Sequence, residues 1–405
     1  MTTQSGSPPR APLSAIPRGV WALGFVSLLM DTSSEMIHAL LPVFLVSVLG
    51  ASVTTVGVLE GLAEATASIT KLFSGVLSDR LGKRKQLVVL GYGLAALTKP
   101  LFALAPSVSW VVGARLADRV GKGIRGAPRD ALLADLAPPA VRGASFGLRQ
   151  MLDTVGAFAG PLLAIVTMSL TGGSFRTVFW LAVIPAVACV AVLVLFVADS
   201  PGAGTASARS PLRAMLKLGG AYWALVVVAA LFTLARFSEA FLILKISAVG
   251  LSASYVPLVL VVMNVAYAGC AYPAGWLSDR ANRWALVGVG AAFLIGADLV
   301  LAASTTVQSA LVGIVLWGLA MGFTQGLFAA LVADAARPEQ RGTAFGVFNL
   351  VSGLALLAAS SLAGIVWDRA GAAATFSTGA GLTALAVLAA AVLGAMGLLR
   401  RSAHA

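Results

Sequence analysis

Gly75 to Lys85 reads GVLSDRLGKRK: a glycine, an acid and four cations (Arg80, Lys83, Arg84, Lys85) wedged between two long apolar segments. So short a space admits only a tight turn between two helices, with a glycine to terminate the first of them. A partial copy, GWLSDRANRW, runs from Gly275 to Trp284. LLADLAPPAVRGASFG (Leu132 to Gly147) likewise returns as LVADAARPEQRGTAFG (Leu331 to Gly346), offset by 199 residues. The chain therefore consists of two homologous halves of about 200 residues, and the copied parts are turns between apolar helices.

Hydrophobic residues make up 59% of the 405 and charged residues 11%, against roughly 45–50% and 25% in a soluble globular protein. This is the composition of a polytopic membrane protein. A net charge of +12 would suggest nucleic acid as partner in a soluble chain, but here the cations must first be placed relative to the bilayer. Cys189 and Cys270 are isolated within apolar segments, so neither a disulfide framework nor a paired-cysteine metal site is available, and both read as small core residues.

Met1 to Pro17 is rich in Pro and Ser and lacks an apolar run. The expectation is a disordered cytoplasmic tail over 1–18, not a cleavable signal peptide. Apolar segments able to cross about 30 Å of hydrocarbon follow at 19–48, 54–78, 86–105, 108–135, 142–170 and 176–198. A Gly/Ala/Ser/Pro-rich linker over 199–220 carries Arg209, Arg213 and Lys217, and six more segments follow at 221–249, 254–278, 284–303, 307–336, 341–369 and 372–399. The predicted fold class is all-α: twelve transmembrane helices in two pseudo-symmetric six-helix bundles, 19–198 and 221–400. With the N-terminus inside, the cytoplasmic segments hold sixteen Lys and Arg and the opposite side only Arg176 and Arg369. That asymmetry puts both termini in the cytoplasm, in a bacterial-type inner membrane. The other ten cations fall within membrane segments.

Gly75, Leu77, Asp79, Arg80, Gly82, Lys83 and Arg84 fit the GxLxDRxGRR signature that major facilitator superfamily (MFS) transporters carry between helices 2 and 3, and the chain resembles that family over essentially its whole length. The resemblance implies that Asp79, Arg80 and Lys83 form a cytoplasmic gating latch, with Asp135 at the end of helix 4 as a further member. The second copy departs from the pattern, since Ala281 and Asn282 replace the Leu-Gly turn and Trp284 a cation. Arg119 with Gly123 fits the RxxxG pattern that the superfamily associates with proton coupling, although Lys122 replaces the usual Gln. Gly156, Gly160 and Pro161 fit the GxxxGP pattern of helix 5 found most often in proton antiporters, which are exporters. Physically, that motif combines close helix packing with a proline bend about which the helix can flex.

Each intramembrane charge costs roughly 2.5 to 3.5 kcal/mol or more at the bilayer centre, so each needs a reason. Asp31, Glu35 and His38 share one face of helix 1, and Glu60 and Glu64 stand four apart on helix 2, a like-charge pair that repels unless a cation or proton intervenes. Helix 4 carries Arg115, Asp118, Arg119, Lys122, Arg125, Arg129 and Asp130, helix 5 adds Arg149 and Asp153, and Lys99 lies mid-way along helix 3. The second half offers Arg236, Glu239, Lys245, Asn264, Tyr267, Asp298 and Gln325. The first half is therefore expected to handle charge, while the apolar second half shapes the rest of the cavity.

Several charges also have a purely structural reading. Lys71 is placed to snorkel toward the cytoplasmic surface. Arg149 with Asp153 and Arg236 with Glu239 read as satisfied intrahelical pairs, His38 as a hydrogen-bonded interior residue, and Arg125, Arg129 and Asp130 as gate residues at the cytoplasmic mouth.

An enzyme or nucleotide-driven pump is not indicated. Around Gly121 and Lys122 the phosphate-loop pattern fails, with Leu116 where glycine is needed and Gly123 where Ser or Thr must hold magnesium. No HExxH appears, no cofactor is implied, and no segment outside the membrane could house a catalytic domain. Three readings remain. One is a proton-coupled antiporter exporting a small anionic or zwitterionic organic solute, with protons on Asp31, Glu35, Glu60 or Glu64 and solute at Arg115, Arg119, Lys122, Arg236, Asn264 and Gln325. A second is an exporter of a divalent metal or cationic drug, with Asp31, Glu35 and His38 as ligands. The third is a scaffold or receptor that transports nothing. The expected partners are the solute, protons and the lipid bilayer, with no nucleic acid, and the expected working form is a monomer.

Overall fold

The computed structural model describes residues 16–199, 218–278, 280–337 and 340–399. Most of the predicted tail and linker lie outside the described residues. The helices are α1 (Arg18–Val48), α2 (Val53–Leu81), α3 (Arg84–Leu104), α4 (Val108–Leu136), α5 (Arg142–Leu170), α6 (Phe175–Phe196), α7 (Gly220–Ala248), α8 (Leu258–Ser278), α9 (Arg283–Ala303) and α10 (Val307–Ala335). A last helical stretch, Arg341–Ala395, would extend about 80 Å if straight, far beyond the hydrocarbon. It breaks at Gly371 (φ 85°, ψ 173°). Thr375 Oγ1 then donates to the Ala363 carbonyl twelve residues earlier, at 3.3 Å. The stretch is thus a hairpin of two helices, α11 (341–370) and α12 (372–395). Nine of the helical stretches are long and apolar enough to cross a membrane. α2 and α4, 29 residues each, are also long enough but carry the charged stripes read from the sequence.

Local signals explain the boundaries. Ser52 starts α2 by accepting the Thr55 N–H at 3.1 Å, and Gly82 ends it in the left-handed conformation (φ 62°) with its N–H on the Ser78 carbonyl. Thr306 and Ser309 form a reciprocal capping box at the start of α10. Two membrane segments are less regular than expected. The last turn of α1 winds as a π-helix over Phe44–Val48. α7 stops at Ala235 and resumes at Ala240, with Arg236 (φ −106°, ψ 83°) outside helical geometry.

Glycines set the closest crossings. A Cβ on Gly160 would lie 2.7 Å from the Thr32 carbonyl and from Glu35 Cβ, so the GxxxGP stretch of α5 rests directly on α1. Gly123 does the same for α4 on α2, where a Cβ would meet Thr70 Cβ at 2.5 Å and the Ala67 carbonyl at 2.8 Å. The homologous turns carry matching ion pairs: Arg84 with Asp135 ties the start of α3 to the end of α4, and Arg283 with Asp334 ties the start of α9 to the end of α10. Although the second copy departs from the motif at Trp284, Arg283 supplies the cation.

The buried apolar residues fall into three clusters whose arrangement gives the conformational state. Two sit at the face where α1 begins, here termed the terminal face. One is built only from the first half (Val20, Leu23, Leu132, Leu193 and neighbours) and one only from the second (Tyr222, Leu286, Val332 and neighbours). The third lies at the opposite, distal face and mixes both halves, joining Leu45, Val56 and Phe179 to Phe241, Trp317 and Phe376. The halves therefore share one buried apolar cluster distally and have separate ones at the terminal face, while α2 and α11 stay packed together from Thr54 and Gly364 to Leu72 and Gly346. Asp368, at the distal end of α11, reinforces the seal: its two carboxylate oxygens accept the first backbone N–H groups of α2, Val53 at 3.1 Å and Thr54 at 2.8 Å. These are orphan donors of a helix N-terminus, satisfied here by the other half of the chain.

Candidate functional site: a central charged cavity

Between the halves lies a cavity of about 690 Å³, within the size range of small-molecule sites. Its walls differ in chemistry. The first half contributes Asp31 and Glu35 from α1, Glu64 and Lys71 from α2, Lys122, Arg125 and Arg129 from α4 and Asp153 from α5, with no apolar side chain there larger than alanine. The second half contributes Phe232, Phe328, Phe345, Phe348, Leu294 and Leu356 beside the uncharged polar Thr233, Thr324, Gln325, Asn349 and Ser352, with Arg236 as its one ionisable group among the described residues.

Behind the charged wall stands a layer of paired groups. Glu60 and Glu64 do not face each other unpaired, because Arg115 and Arg119 repeat their four-residue spacing on α4. Arg115 Nη2 donates to Glu60 Oε2 at 2.7 Å, and Arg119 Nη1 lies 3.0 Å from Glu64 Oε1. Gly123, four residues beyond Arg119, permits this close approach of α4 to α2. Arg115 also donates to His38 Nε2. His38 Nδ1 lies 3.5 Å from both Glu35 Oε1 and Arg119 Nη2. Deeper still, the fully buried Lys99 donates to Asp118 Oδ1 at 2.8 Å and to Ser34 Oγ at 3.0 Å. Arg149 pairs with Asp153 at 2.6 Å, as its spacing predicts, and Arg129 with Asp130 at 3.1 Å.

Four cations on the cavity wall have no such partner. Among the described residues no carboxylate lies within 4.0 Å of Lys71, Lys122, Arg125 or Arg236. Arg125 instead packs its guanidinium over Tyr92, 4.5 Å from the ring centroid, and leaves Nη1 without a hydrogen-bond partner. Asp31 and Glu35 likewise have no Lys or Arg within 4.0 Å among the described residues.

The structure redistributes the sequence-predicted residues. Lys122, Arg236, Gln325, Asp31, Glu35 and Glu64 meet in the cavity. Arg115, Arg119, Glu60 and Asn264 do not line it; the two arginines are 2% and 3% exposed and occupied by their partners. Arg236 and Glu239 do not form the predicted intrahelical pair, because the helix is broken between them and Arg236 turns to the cavity. Lys71, expected to snorkel away, is exposed on the cavity wall, and Arg125 and Arg129 line it as well. Asp31, Glu35 and His38 are not gathered into one group: His38 is engaged by Arg115, and no cluster of three or more His, Cys, Asp or Glu placed to hold an ion is found among the described residues.

In the latch, Asp135 is held by Arg84, whereas Lys83 sits just before α3 and makes no side-chain capping bond to it. The side chains of Asp79 and Arg80 lie outside the described residues. The four phenylalanines of the cavity went unread in the sequence. Nothing distinguishes them there from the other apolar residues of the same helices, because helical spacing leaves the rotation of each helix undetermined.

Known proteins agree with this architecture. An uncharacterized MFS-type transporter of Methanocaldococcus jannaschii is 32% identical over 360 residues, covering 86% of this chain and 88% of its own. A multidrug resistance protein, MdtH, of Photorhabdus laumondii is 32% identical over 147 residues, 36% of each chain. Among solved structures, a bacterial homologue of the human lysosomal transporter Spinster, in an inward-facing and unoccupied conformation, superposes with a TM-score of 0.72 at 17% identity over 97% of each chain. The sequence matches the family model for the Major Facilitator Superfamily over residues 23–360. With twelve helical limbs, duplicated turns and a central cavity between the halves, the chain belongs to the Major Facilitator Superfamily of membrane transporters.

Proposed function

We propose that the protein is a proton-coupled antiporter that exports a small anionic or zwitterionic organic solute by alternating access, with 19–198 and 221–400 moving as two bundles about the cavity. The observation that carries this reading is the coexistence, on one cavity wall, of cations without carboxylate partners (Lys71, Lys122, Arg125) and carboxylates without Lys or Arg partners (Asp31, Glu35). Solute anion and coupling proton thus have separate acceptors in one space. The excess of sixteen cations over two supports a cytoplasmic terminal face. The cavity then opens toward the compartment from which an exporter loads.

Exchange requires that solute and proton exclude one another. A positively charged group on the solute does this directly: placed at Asp31 and Glu35 it takes the position of the protons, while the anionic group is held by Lys122 and Arg125. Distal opening and a drop in solute concentration then return the carboxylates to protons. MdtH is a multidrug resistance protein, and export of an organic solute is in keeping with that.

The test uses purified protein in proteoliposomes enclosing a pH-sensitive dye. Organic solutes are applied to one side without a preset gradient. Solute-driven proton movement in the opposite direction, absent from Asp31→Asn/Glu35→Gln vesicles, is the expected result. Solute flux with no proton movement, or with protons moving in the same direction, overturns antiport.

A further inference from the structure

The cavity wall is divided so sharply that it limits the shape of its ligand. Every titratable lining residue but Arg236 comes from α1, α2, α4 and α5, and every lining aromatic comes from α7, α10 and α11. Phe232 and Phe328 meet edge to face with ring centroids 5.4 Å apart, and Phe345 and Phe348 continue the apolar surface along α11. A ligand that is charged throughout leaves this surface facing water, and one that is apolar throughout buries unpartnered Lys122, Arg125, Asp31 and Glu35 without compensation. Both signs of charge are present on the polar wall.

We infer that the cavity binds an amphipathic zwitterion: an ammonium and an acidic group close together at one end, and an aromatic or bulky aliphatic body at the other. The acidic group lies against Lys122 and Arg125, the ammonium against Asp31 and Glu35, and the body against Phe232, Phe328, Phe345 and Phe348. This rests on the reading of the cavity as the solute site and narrows its substrate class. Each half of the chain then holds a chemically different end of the same molecule. Closure of the two bundles over the solute therefore needs head and body together.

Four matched probes separate the elements: 3-(2-naphthyl)alanine (both charges and body), alanine (both charges only), 3-(2-naphthyl)propionate (acid and body) and 2-(2-naphthyl)ethylamine (ammonium and body). Binding is measured by calorimetry on the full chain in lipid nanodiscs. The expected result is that naphthylalanine binds at least about tenfold more tightly than each of the other three, the scale set by burying one aromatic face or pairing one charge. Phe345→Leu and Phe348→Leu remove the rings while keeping a large apolar side chain at each position, so that the fold is retained. Together they should weaken naphthylalanine about tenfold and leave alanine unchanged, whereas Lys122→Gln should weaken both.

If alanine matches naphthylalanine, the aromatic wall is not a binding surface and the inference falls. If naphthylpropionate matches it, the inference falls while the anion-export reading stands. If naphthylethylamine binds most tightly, both fall and the cationic-solute reading replaces them.

Discussion

Replacing Asp368 tests whether the distal seal is part of the transport cycle. Its carboxylate accepts two backbone N–H groups of α2 at 3.1 and 2.8 Å across the boundary between the halves. Among the described residues no other side chain is found on those two donors, and Ser52 serves the third. Asp368 is exposed, so the interaction is worth what an exposed helix cap is worth, about 1 kcal/mol, and not the larger value of a buried charged hydrogen bond. One kcal/mol changes a two-state ratio about fivefold.

Asp368→Ala should therefore shift the equilibrium about fivefold away from the distally sealed state. Asp368→Asn, which keeps one acceptor and loses the charge, should shift it less. Spin labels at Val48→Cys and Ser252→Cys, exposed distal positions in opposite halves, report the separation by pulsed electron resonance. Native Cys189 and Cys270 are buried and should remain unlabelled. A second, longer distance should gain population in Asp368→Ala and, to a smaller degree, in Asp368→Asn. Identical distance distributions in all three proteins would refute the reasoning, since they would mean that the cap adds nothing to the sealed state.

Four further expectations follow from the interior. Lys99→Met strands the buried Asp118 carboxylate and should lower stability by about 3–5 kcal/mol, read as a large fall in thermal midpoint; Lys99→Met/Asp118→Asn should recover most of it. Gly160→Ala places a methyl 2.7 Å from the Thr32 carbonyl, so α5 must move off α1 at a cost of about 1–3 kcal/mol; unchanged melting would show that the contact is slack. Asp31→Asn with Glu35→Gln should abolish proton release on solute binding while leaving the protein folded, measured by calorimetry in buffers of different ionisation enthalpy. Exchanging the partners of one turn pair, Arg84→Asp with Asp135→Arg, should cost less than about 1 kcal/mol, and each single change should cost more than the exchange in a double-mutant cycle.

Much of the fold could be read from one dimension because the bilayer imposes it. Spans of about 20 apolar residues, a glycine able to end α2 and a repeat offset of 199 are properties of chain order, and hydrocarbon allows few other outcomes. The irregular points lay beyond that reading. The break at Arg236 carries neither proline nor glycine, so periodicity ran straight through it, and with the break went the expected pairing of Arg236 with Glu239.

The site divides in the same way. That charges crowd α1, α2 and α4 was legible, and so was the need of Glu60 and Glu64 for cations, because four-residue spacing puts both on one face of a helix. Which cations answer that need depends on how α4 rotates and how close it comes to α2, and Gly123 governs that contact. Arg115 and Arg119 consequently stand behind the cavity wall as partners of Glu60 and Glu64, and Lys71, Lys122 and Arg125 stand on it. Asp368 shows the limit most plainly. In the chain it is an acid near a helix end, and only the packing of α11 on α2, more than 300 residues away in sequence, makes it a cap. Order along the chain determines what a segment can bury, whereas the mutual rotation of packed helices decides which side chains meet.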